Sequence, residues 1–442
     1  MKPIRNISIL LALWASITYT AMAQHDIKFT IENYDDTIGY LLYYYKDKTI
    51  VLDTLSFEED KALYHSDTAL PQGIYIIADA TKQRRFEFML GKSREQNFHI
   101  SDDIMRCFCD DEESALLLRH QQMYYLSRYY KGRSRISDSI DMKLTALTDS
   151  IIAIDSTMFL SVYLKALQEP IIPDSIIASP KNSYTYYKDH YWDTYDWGDK
   201  RLLYTALPQA KLNNYYDKIL APIADTIIAA TDRLLKLAPK DSEVRDYLLW
   251  YLLLKFQHPI YMGHDKVLVH LSEHYFLKEP ISGLDIVGRQ YLEERIAAIK
   301  GLLLGAVIDD IELIDITDKR FIISNLEEPY TIIFFSDHSC DRCQEEAKIL
   351  KTMQESDTIH FNVIQIEMNY DTMQSQYHNE YSWRLVHILR QKDLYLDKLF
   401  DVDETPMLYL LDNERRIIGK HFEARDLSKI IKMNKNDRKQ NH

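Results

Sequence analysis

Cys340 and Cys343 form a Cys-x-x-Cys pair between an apolar run, residues 330–336, and a helix-like run, residues 344–354. The N-terminus of a helix presents unpaired backbone N–H groups and the positive end of the helix macrodipole, and both favour thiolate over thiol. The thiolate is the nucleophile of thiol–disulfide exchange. The spacing therefore predicts a redox-active pair at the start of a helix, and Thr405-Pro406, just before a later apolar strand, strengthens that prediction.

Zinc binding is the alternative use of such a pair. A structural zinc site needs two further ligands at suitable spacing. Cys107, Cys109 and the scattered histidines are poor candidates for those ligands. We therefore expect no metal ion and no cofactor beyond a redox-active disulfide between Cys340 and Cys343.

Cys107 and Cys109 could form a second thiol relay, because side chains at i and i+2 of a strand share a face. A disulfide at that spacing would be strained by ordinary disulfide geometry. We expect buried or lone thiols without a redox role.

Composition limits the classes of protein to which the chain could belong. Its 442 residues are enough for two to four domains of roughly 100–200 residues. Only 11 glycines and 12 prolines occur beside 46% apolar residues, which indicates packed helices and strands. The formal net charge of −14 and the lack of a long basic block disfavour nucleic acid as a partner, since nucleic-acid binding requires a positive stripe.

Residues 1–23 have the pattern of a secretory signal peptide. Lys2 and Arg5 precede an apolar stretch, residues 7–15, and Ala21-Met22-Ala23 is a small-x-small cleavage site. The alternative is an uncleaved membrane anchor, but the apolar stretch is too short to span a bilayer. We expect cleavage after Ala23 and a mature protein in the periplasm or cell envelope.

The pattern of the mature chain predicts a multidomain α+β protein. Residues 24–109 contain short alternating runs and predict an antiparallel β-sandwich; residues 110–302 have helical spacing and predict an all-helical domain. Residues 303–435 alternate strands and helices, with 382–390 and 393–399 taken as helical, in the order of a thioredoxin fold with a mixed sheet. Residues 436–442 form a polar tail.

The segment Tyr184–Leu203 is rich in aromatic and acidic side chains, YTYYKDHYWDTYDWGDKRLL. Such a mixture could bind a sugar or a peptide through ring stacking and carboxylates. The favoured interpretation is that the rings anchor a long connection to the helical core.

The stretches YTIIFFSDHSCDRCQEE and FDVDETPMLYLLDNERRIIGKHF resemble the TlpA-type, periplasmic thioredoxin-like thiol–disulfide oxidoreductases over residues 303–435. The front of the chain looks like exported proteins in which a β-sandwich and a helical domain of unknown function precede such a domain. The resemblance implies that Cys340 is the attacking thiol and Cys343 the resolving thiol.

The resemblance also implies that Pro406 follows a cis peptide bond and that the backbone at Thr405 pairs with an extended substrate. Glu346 matches an acidic residue thought to tune proton transfer at the resolving cysteine; the alternative is an exposed helical glutamate. The family pattern is broken at Ser339, where a tryptophan is usual, and at Phe334, where many thioredoxins carry a buried acid.

Two functions follow as expectations. The first is an exported oxidoreductase that reduces disulfides of proteins or peptides and is recycled by a membrane or periplasmic redox partner. The second is an envelope binding or assembly protein, in which the N-terminal domains hold a partner and the thioredoxin domain is a docking module.

Overall fold

A computed structural model describes residues 25–132, 134–259, 261–356, 359–369, 381, 383–391 and 394–440. The expected signal peptide and its cleavage site lie outside these residues. The chain divides into two compact units, Met1–Ile219 with Leu237–Pro239, and Leu220–Lys236 with Lys240–His442. The helical region belongs partly to each unit, and the division into three domains with boundaries at 109 and 302 stays a prediction.

Two four-stranded sheets form the first part of the first unit, in the orders β4-β1-β7-β8 and β3-β2-β5-β6. The strands are β1 (His25–Ile31), β2 (Ile38–Tyr45), β3 (Lys48–Ser56), β4 (Lys61–Ser66), β5 (Gly73–Ala78), β6 (Arg84–Leu90), β7 (Glu95–Ile100) and β8 (Phe108–Cys109). Alternate residues of β1 point into the shared core, where Phe29 packs against Phe88 and Phe98. Period-two alternation thus describes the burial of β1, as the sequence predicts, whereas every residue of β5 in the other sheet is buried.

One strand pair corrects the prediction of an antiparallel sandwich. β1 and β7 run parallel, with Phe29 opposite Phe98. Parallel neighbours require a long crossover, and β2 to β6 provide it before the chain returns beside β1. Alternation reports which side chains are buried and carries no information on strand direction, so the sequence could not show this pair.

The rest of the first unit is helical. Its α-helices are α1 (Glu112–Tyr129), α2 (Ser134–Ile154), α3 (Phe159–Leu167), α4 (Asp174–Ile177), α5 (Pro180–His190) and α6 (Leu207–Asn214), and a π-helix follows at Tyr215–Ile219. Asp111 caps α1 by accepting a hydrogen bond of 2.8 Å from the Ser114 N–H. Ser179 caps α5 in the same way, with Pro180 at the first helical position.

The aromatic segment divides into two sets of side chains. Tyr191, Trp192, Tyr195 and Trp197 are buried and pack edge-to-face or tilted against one another. This burial supports the interpretation that the segment anchors the chain to the helical core. A second set, which includes Tyr186 and His190, instead lines a cavity of about 1400 Å³ in the same unit.

The second unit begins with α7 (Ala224–Leu237, all but its last residue), α8 (Glu243–Phe256), α9 (Asp265–Leu271) and α10 (Ile286–Lys300), with a π-helix at Ser272–Phe276. Asp265 on α9 forms an ion pair with Lys420, and both side chains are almost completely buried. The Lys420 ammonium also donates a hydrogen bond of 2.7 Å to the Leu302 carbonyl.

The remaining elements build a thioredoxin-like α/β arrangement. They are β9 (Glu312–Ile314), β10 (Arg320–Ile322), β11 (Tyr330–Ser336), α11 (Asp341–Glu355), β12 (Asn362–Glu367), β13 (Arg384–His387), α12 (Leu396–Leu399), β14 (Met407–Asp412), β15 (Ile417–Lys420) and α13 (Leu427–Gln440). A five-stranded sheet has the order β13-β12-β11-β14-β15. β11 is parallel to β12 and antiparallel to β14, so the sheet is mixed, as predicted.

Both faces of this sheet are covered. Ile332 and Phe334 of β11 share a core with α11 and α13, whereas Ile333 and Phe335 face a second core that includes α12. A strand buried on both faces has a continuous apolar sequence rather than an alternating one, which is the pattern of β11. The strand is therefore a rigid support for the loop that follows it.

Two expected elements differ from the structure. The run predicted to be helical at 382–390 contains β13, which pairs parallel with β12 through Val386 and Ile366. A short apolar run has too few residues to distinguish the two periods, and the free edge of β12 decides the outcome. α13 continues to Gln440, into residues 436–442, which the sequence predicts to be a polar tail beyond the domain end at 435.

No helix in the described part of the chain is both long and apolar enough to cross a membrane.

Candidate active site

Cys340 lies at the N-cap of α11, immediately after the turn that leaves β11. Its backbone is extended (φ −89°, ψ 112°), and its Sγ accepts a hydrogen bond of 3.2 Å from the Cys343 N–H. The sulfur thus takes the place of the side-chain oxygen that usually caps a helix, and it faces the positive end of the helix dipole.

Cys343 lies in the first turn of α11 and is 3% exposed, whereas Cys340 is half-buried. Burial, together with the neighbouring Cys340 thiol, raises the pKa of Cys343 to about 12, although hydrogen bonds from the Asp337 backbone and the Thr405 side chain oppose the increase. The two thiols therefore differ in access. An incoming sulfur can reach Cys340, while Cys343 is held as a protonated thiol behind it.

Thr405 and Pro406 lie beside the thiols at the start of β14. The register pairs Met407 with Phe335 near the end of β11, which brings the preceding two residues next to the cysteine turn. The Cys340 Sγ lies 3.9 Å from the Thr405 carbonyl oxygen, and the Thr405–Pro406 peptide bond is cis. The structure thus brings together four of the five residues singled out from the sequence.

Glu346, the fifth residue, is directed to a different partner. Its carboxylate accepts a hydrogen bond of 2.5 Å from the Ala424 N–H, at the 3-10 turn before α13. Burial raises the pKa of Glu346, and the hydrogen bond from Ala424 opposes the increase. The expected proton exchange with Cys343 therefore stays a prediction, since the hydrogen bond of the Glu346 carboxylate is with Ala424.

A second carboxylate near the thiols is not evident from the sequence. Glu367 ends β12 directly opposite Ser336, the last residue of β11, and is 2% exposed. Its Oε1 accepts hydrogen bonds of 3.2 Å from the backbone N–H groups of His338 and Asn369. Glu367 could have been found from the parallel register of β11 and β12, because that register places the end of β12 beside the turn that leads to Cys340.

Asp337, His338 and Glu367 are a group of side chains able to hold a metal ion, as their ligand atoms lie within 4.8 Å of one another. Mixed carboxylate and imidazole ligands suit zinc and related divalent ions. One carboxylate oxygen of Asp337 and one of Glu367 already accept hydrogen bonds from backbone N–H groups. The expectation of a site without a metal stays a prediction.

Cys107 and Cys109 have surroundings unlike those of the helix pair. Cys107 is buried and its Sγ lies 3.3 Å from the Ser101 carbonyl oxygen, while Cys109 packs against the sandwich core. Burial raises the pKa of both thiols, to about 12 for Cys109. Protonated, buried thiols are poor nucleophiles.

We therefore expect the double variant Cys107→Ser/Cys109→Ser to exchange thiols and disulfides at a rate within about twofold of that of the unchanged protein, because the thiolate is the reacting species. The measurement is turnover of a protein disulfide with excess dithiol. A drop of tenfold in a variant that keeps its melting temperature would instead indicate a thiol relay.

A half-buried N-cap thiol, a buried partner and a cis X-Pro beside them, on a mixed five-stranded sheet, define a thioredoxin-like protein. Two known domain families match parts of the chain. Residues 131–296 match a domain of unknown function, DUF5106, and residues 310–419 match TraF, F plasmid transfer operon protein.

The chain is similar to several solved structures. A thioredoxin-like protein from Bacteroides caccae is 18% identical and covers 60% of this chain and 98% of its own, with a TM-score of 0.49. A putative thiol:disulfide interchange protein DsbE from Chlorobium tepidum is 15% identical and covers 29% of this chain and 94% of its own, with a TM-score of 0.26. StoA from Bacillus subtilis, also 15% identical, covers 28% of this chain and 98% of its own, with a TM-score of 0.23. No curated protein sequence matches. These likenesses are distant, and the fold assignment rests on the strand order and the site described above.

Proposed function

We propose that the protein is an exported thiol–disulfide oxidoreductase of the TlpA type, which reduces disulfides of proteins or peptides through Cys340 and Cys343. The observation that carries the proposal is the arrangement of the two thiols. Cys340 is accessible and caps a helix, while Cys343 is buried one turn later and donates its N–H to the first sulfur. One thiol is thus suited to attack and the other to resolution.

The reaction proceeds in two exchanges. The Cys340 thiolate attacks one sulfur of a substrate disulfide, forms a mixed disulfide and releases the other substrate sulfur as a thiolate. Cys343 then loses its proton and attacks the Cys340 Sγ, which releases the second substrate sulfur. Two electrons and, after protonation of both sulfurs, two protons reach the substrate, and a disulfide between Cys340 and Cys343 remains.

Substrate positioning is assigned to the Thr405 backbone. Its carbonyl oxygen lies 3.9 Å from the Cys340 sulfur, at the open end of β14, where an extended peptide could pair with it. The oxidised pair then requires a dithiol reductant, and export implies a membrane or periplasmic partner for this step. The N-terminal signal pattern supports location in the periplasm or cell envelope.

The proposal is tested by the reduction potential and turnover of the Cys340–Cys343 pair. Equilibration with glutathione or dithiothreitol is expected to give a value near that of thioredoxin, roughly −270 mV, with catalysed reduction of a protein disulfide. A value near −120 mV would indicate an oxidant and overturn the direction proposed. Turnover equal to that of the Cys340→Ser/Cys343→Ser variant would overturn the activity itself.

Glu346 is proposed as the proton acceptor of the resolving step. Glu346→Gln keeps an oxygen for the Ala424 N–H but cannot take a proton at neutral pH. We expect resolution of the mixed disulfide to slow by about 100-fold, the low end for general base catalysis, with little change in the first attack. Glu345→Gln, an exposed neighbour on α11, is the matched control. Equal resolution rates in the two variants would show that Glu346 has only a structural role, as the acceptor of the Ala424 hydrogen bond.

The pH dependence of stability gives a second test of the Glu346 environment. Because burial raises the pKa of Glu346, its ionisation costs stability in the folded protein. The cost is absent below the unfolded pKa of about 4.3 and increases as pH rises through the higher folded pKa. Between pH ~4 and pH ~7, the melting temperature of Glu346→Gln should therefore rise relative to the unchanged protein. A difference independent of pH would contradict this.

Ligand binding by the N-terminal region is the second candidate function, and one observation favours it. The cavity of about 1400 Å³ exceeds the roughly 300–1,000 Å³ of small-molecule sites and is lined by several rings and polar groups. Its lining includes Phe86, His120, Tyr124, Tyr163, Tyr186 and Glu169. A cellular phenotype of Tyr124→Ala/Tyr186→Ala, with a Cys340→Ser/Cys343→Ser variant that behaves as the unchanged protein, would favour binding over catalysis.

A further inference from the structure

We infer that Glu367 is a positioning residue for the thiol pair: as a hydrogen-bond acceptor it holds the turn Asp337–Ser339, and through that turn it sets the contacts of Cys340 and Cys343. The inference rests on the proposed function, since it concerns the same two thiols. Nothing in the sequence pattern around Cys340 points to Glu367, because Cys340 follows β11 whereas Glu367 lies at the end of β12.

The first step of the argument is the burial of Glu367. Its side chain is 2% exposed at the end of β12, and glutamate is almost never fully buried unless it is paired. Its partners include the backbone N–H groups of His338 and Asn369, each 3.2 Å from Oε1, and the His338 Nδ1 at 3.4 Å. One oxygen thus joins the chain after β12 to the turn after β11.

The second step connects this oxygen to Asp337. The Asn369 side chain donates a hydrogen bond of 3.2 Å to the Asp337 carboxylate. The same carboxylate oxygen accepts from the Ser339 N–H at 2.8 Å and from the Ser339 hydroxyl at 2.7 Å. The turn is therefore fixed from both sides, by Glu367 at His338 and by Asn369 at Asp337.

The third step connects Asp337 to both sulfurs. Its carbonyl oxygen accepts a hydrogen bond of 3.0 Å from the Cys340 N–H, and its backbone donates a hydrogen bond to Cys343 that lowers the pKa of that thiol. A displaced turn would remove a donor from the buried sulfur. The Cys343 thiolate would then form less readily, and resolution of the mixed disulfide would slow.

The experiment compares Glu367→Ala, which removes the acceptor, with Glu367→Gln, which keeps an acceptor oxygen and removes the charge. Thiolate absorbance near 240 nm is titrated in the reduced full-length protein, with the Cys340→Ser/Cys343→Ser protein as baseline, and turnover is measured at pH 7. Glu355→Gln at the exposed end of α11 is the charge-matched control.

Loss of one backbone donor predicts a rise of the upper apparent pKa of the thiol pair and a fall in turnover of about 3–10-fold in Glu367→Ala, with Glu367→Gln within about twofold of the unchanged protein. Asn369 lies at a half-buried position. Asn369→Ala should also raise the upper apparent pKa and lower turnover, but by less than Glu367→Ala does. It is the variant to use if Glu367→Ala does not fold.

Three results would overturn the inference. Equal effects of Glu367→Gln and Glu367→Ala would show that Glu367 acts through its charge. A lower melting temperature with an unchanged thiol titration would show that Glu367 contributes to stability alone, and a thiol titration altered by a chelator would show that it binds a metal ion. The titration needs no substrate, so it decides the role of Glu367 even where the unchanged protein shows no turnover and the proposed function fails.

Discussion

Cys340→Ser should abolish disulfide reduction, because it removes the accessible sulfur that caps α11. Cys343→Ser should retain the first exchange and stop there, so that a mixed disulfide with substrate accumulates. The expected loss of turnover is at least about 1,000-fold for the first variant, since a serine hydroxyl is not ionised at neutral pH and does not exchange with disulfides. Turnover of a protein disulfide and non-reducing gel analysis measure the two results.

The two variants control for one another. Each replaces one sulfur with oxygen at the start of α11, so a mixed disulfide that accumulates in only one variant identifies the thiol that remains as the attacking one. A mixed disulfide in Cys340→Ser but not in Cys343→Ser would reverse the assigned roles. Unchanged turnover in Cys340→Ser would contradict the catalytic role of the pair.

Asp265→Ala should destabilise the protein by about 3–5 kcal/mol, the usual cost of leaving a buried charge without its partner. Asp265 pairs with Lys420, and their side chains are 4% and 3% exposed. The Lys420 ammonium would keep the Leu302 carbonyl as a neutral partner but lose its counter-charge. Urea denaturation monitored by tryptophan fluorescence and by circular dichroism measures the loss.

The adjacent residue offers the matched control. Lys266 on the same helix pairs with Asp225, but those side chains are 51% and 74% exposed. Lys266→Ala should therefore cost less than about 1 kcal/mol. Replacing both buried charges, as in Asp265→Leu/Lys420→Met, should cost less than Asp265→Ala alone, because no unpaired charge remains. Equal losses for Lys266→Ala and Asp265→Ala would show that burial of the Asp265 pair does not matter.

The residues of the redox site were largely predictable because short-range rules determine them. A cysteine at the first turn of a helix and an apolar strand before it are local patterns. That Thr405-Pro406 would lie next to them followed from resemblance, and the antiparallel register of β11 and β14 is its structural cause. The proton-accepting role of Glu346 stays a prediction, since its contact with Ala424 depends on how α13 packs.

The features that the sequence did not reveal are those that depend on which strands pair in the folded sheet. Glu367 reaches the His338 N–H, in the turn before Cys340, only because β12 pairs parallel with β11 in one register. The parallel pair β1 and β7, and the strand at Arg384–His387 where a helix was expected, have the same origin. In each case the local residue pattern permits more than one pairing, and the packing of the whole sheet selects one.

The contact of Lys420 with Asp265 and with Leu302 also bears on where the chain can be divided. A fragment that starts at residue 303 contains every residue of the redox site but leaves Lys420 without its counter-ion and without the carbonyl oxygen that it binds. Such a fragment would carry an unpaired ammonium group at the end of β15, an edge strand of its sheet. Expression of the redox part should therefore begin upstream of α9, and limited proteolysis should spare the stretch between Asp265 and Leu302 for as long as the sheet remains folded.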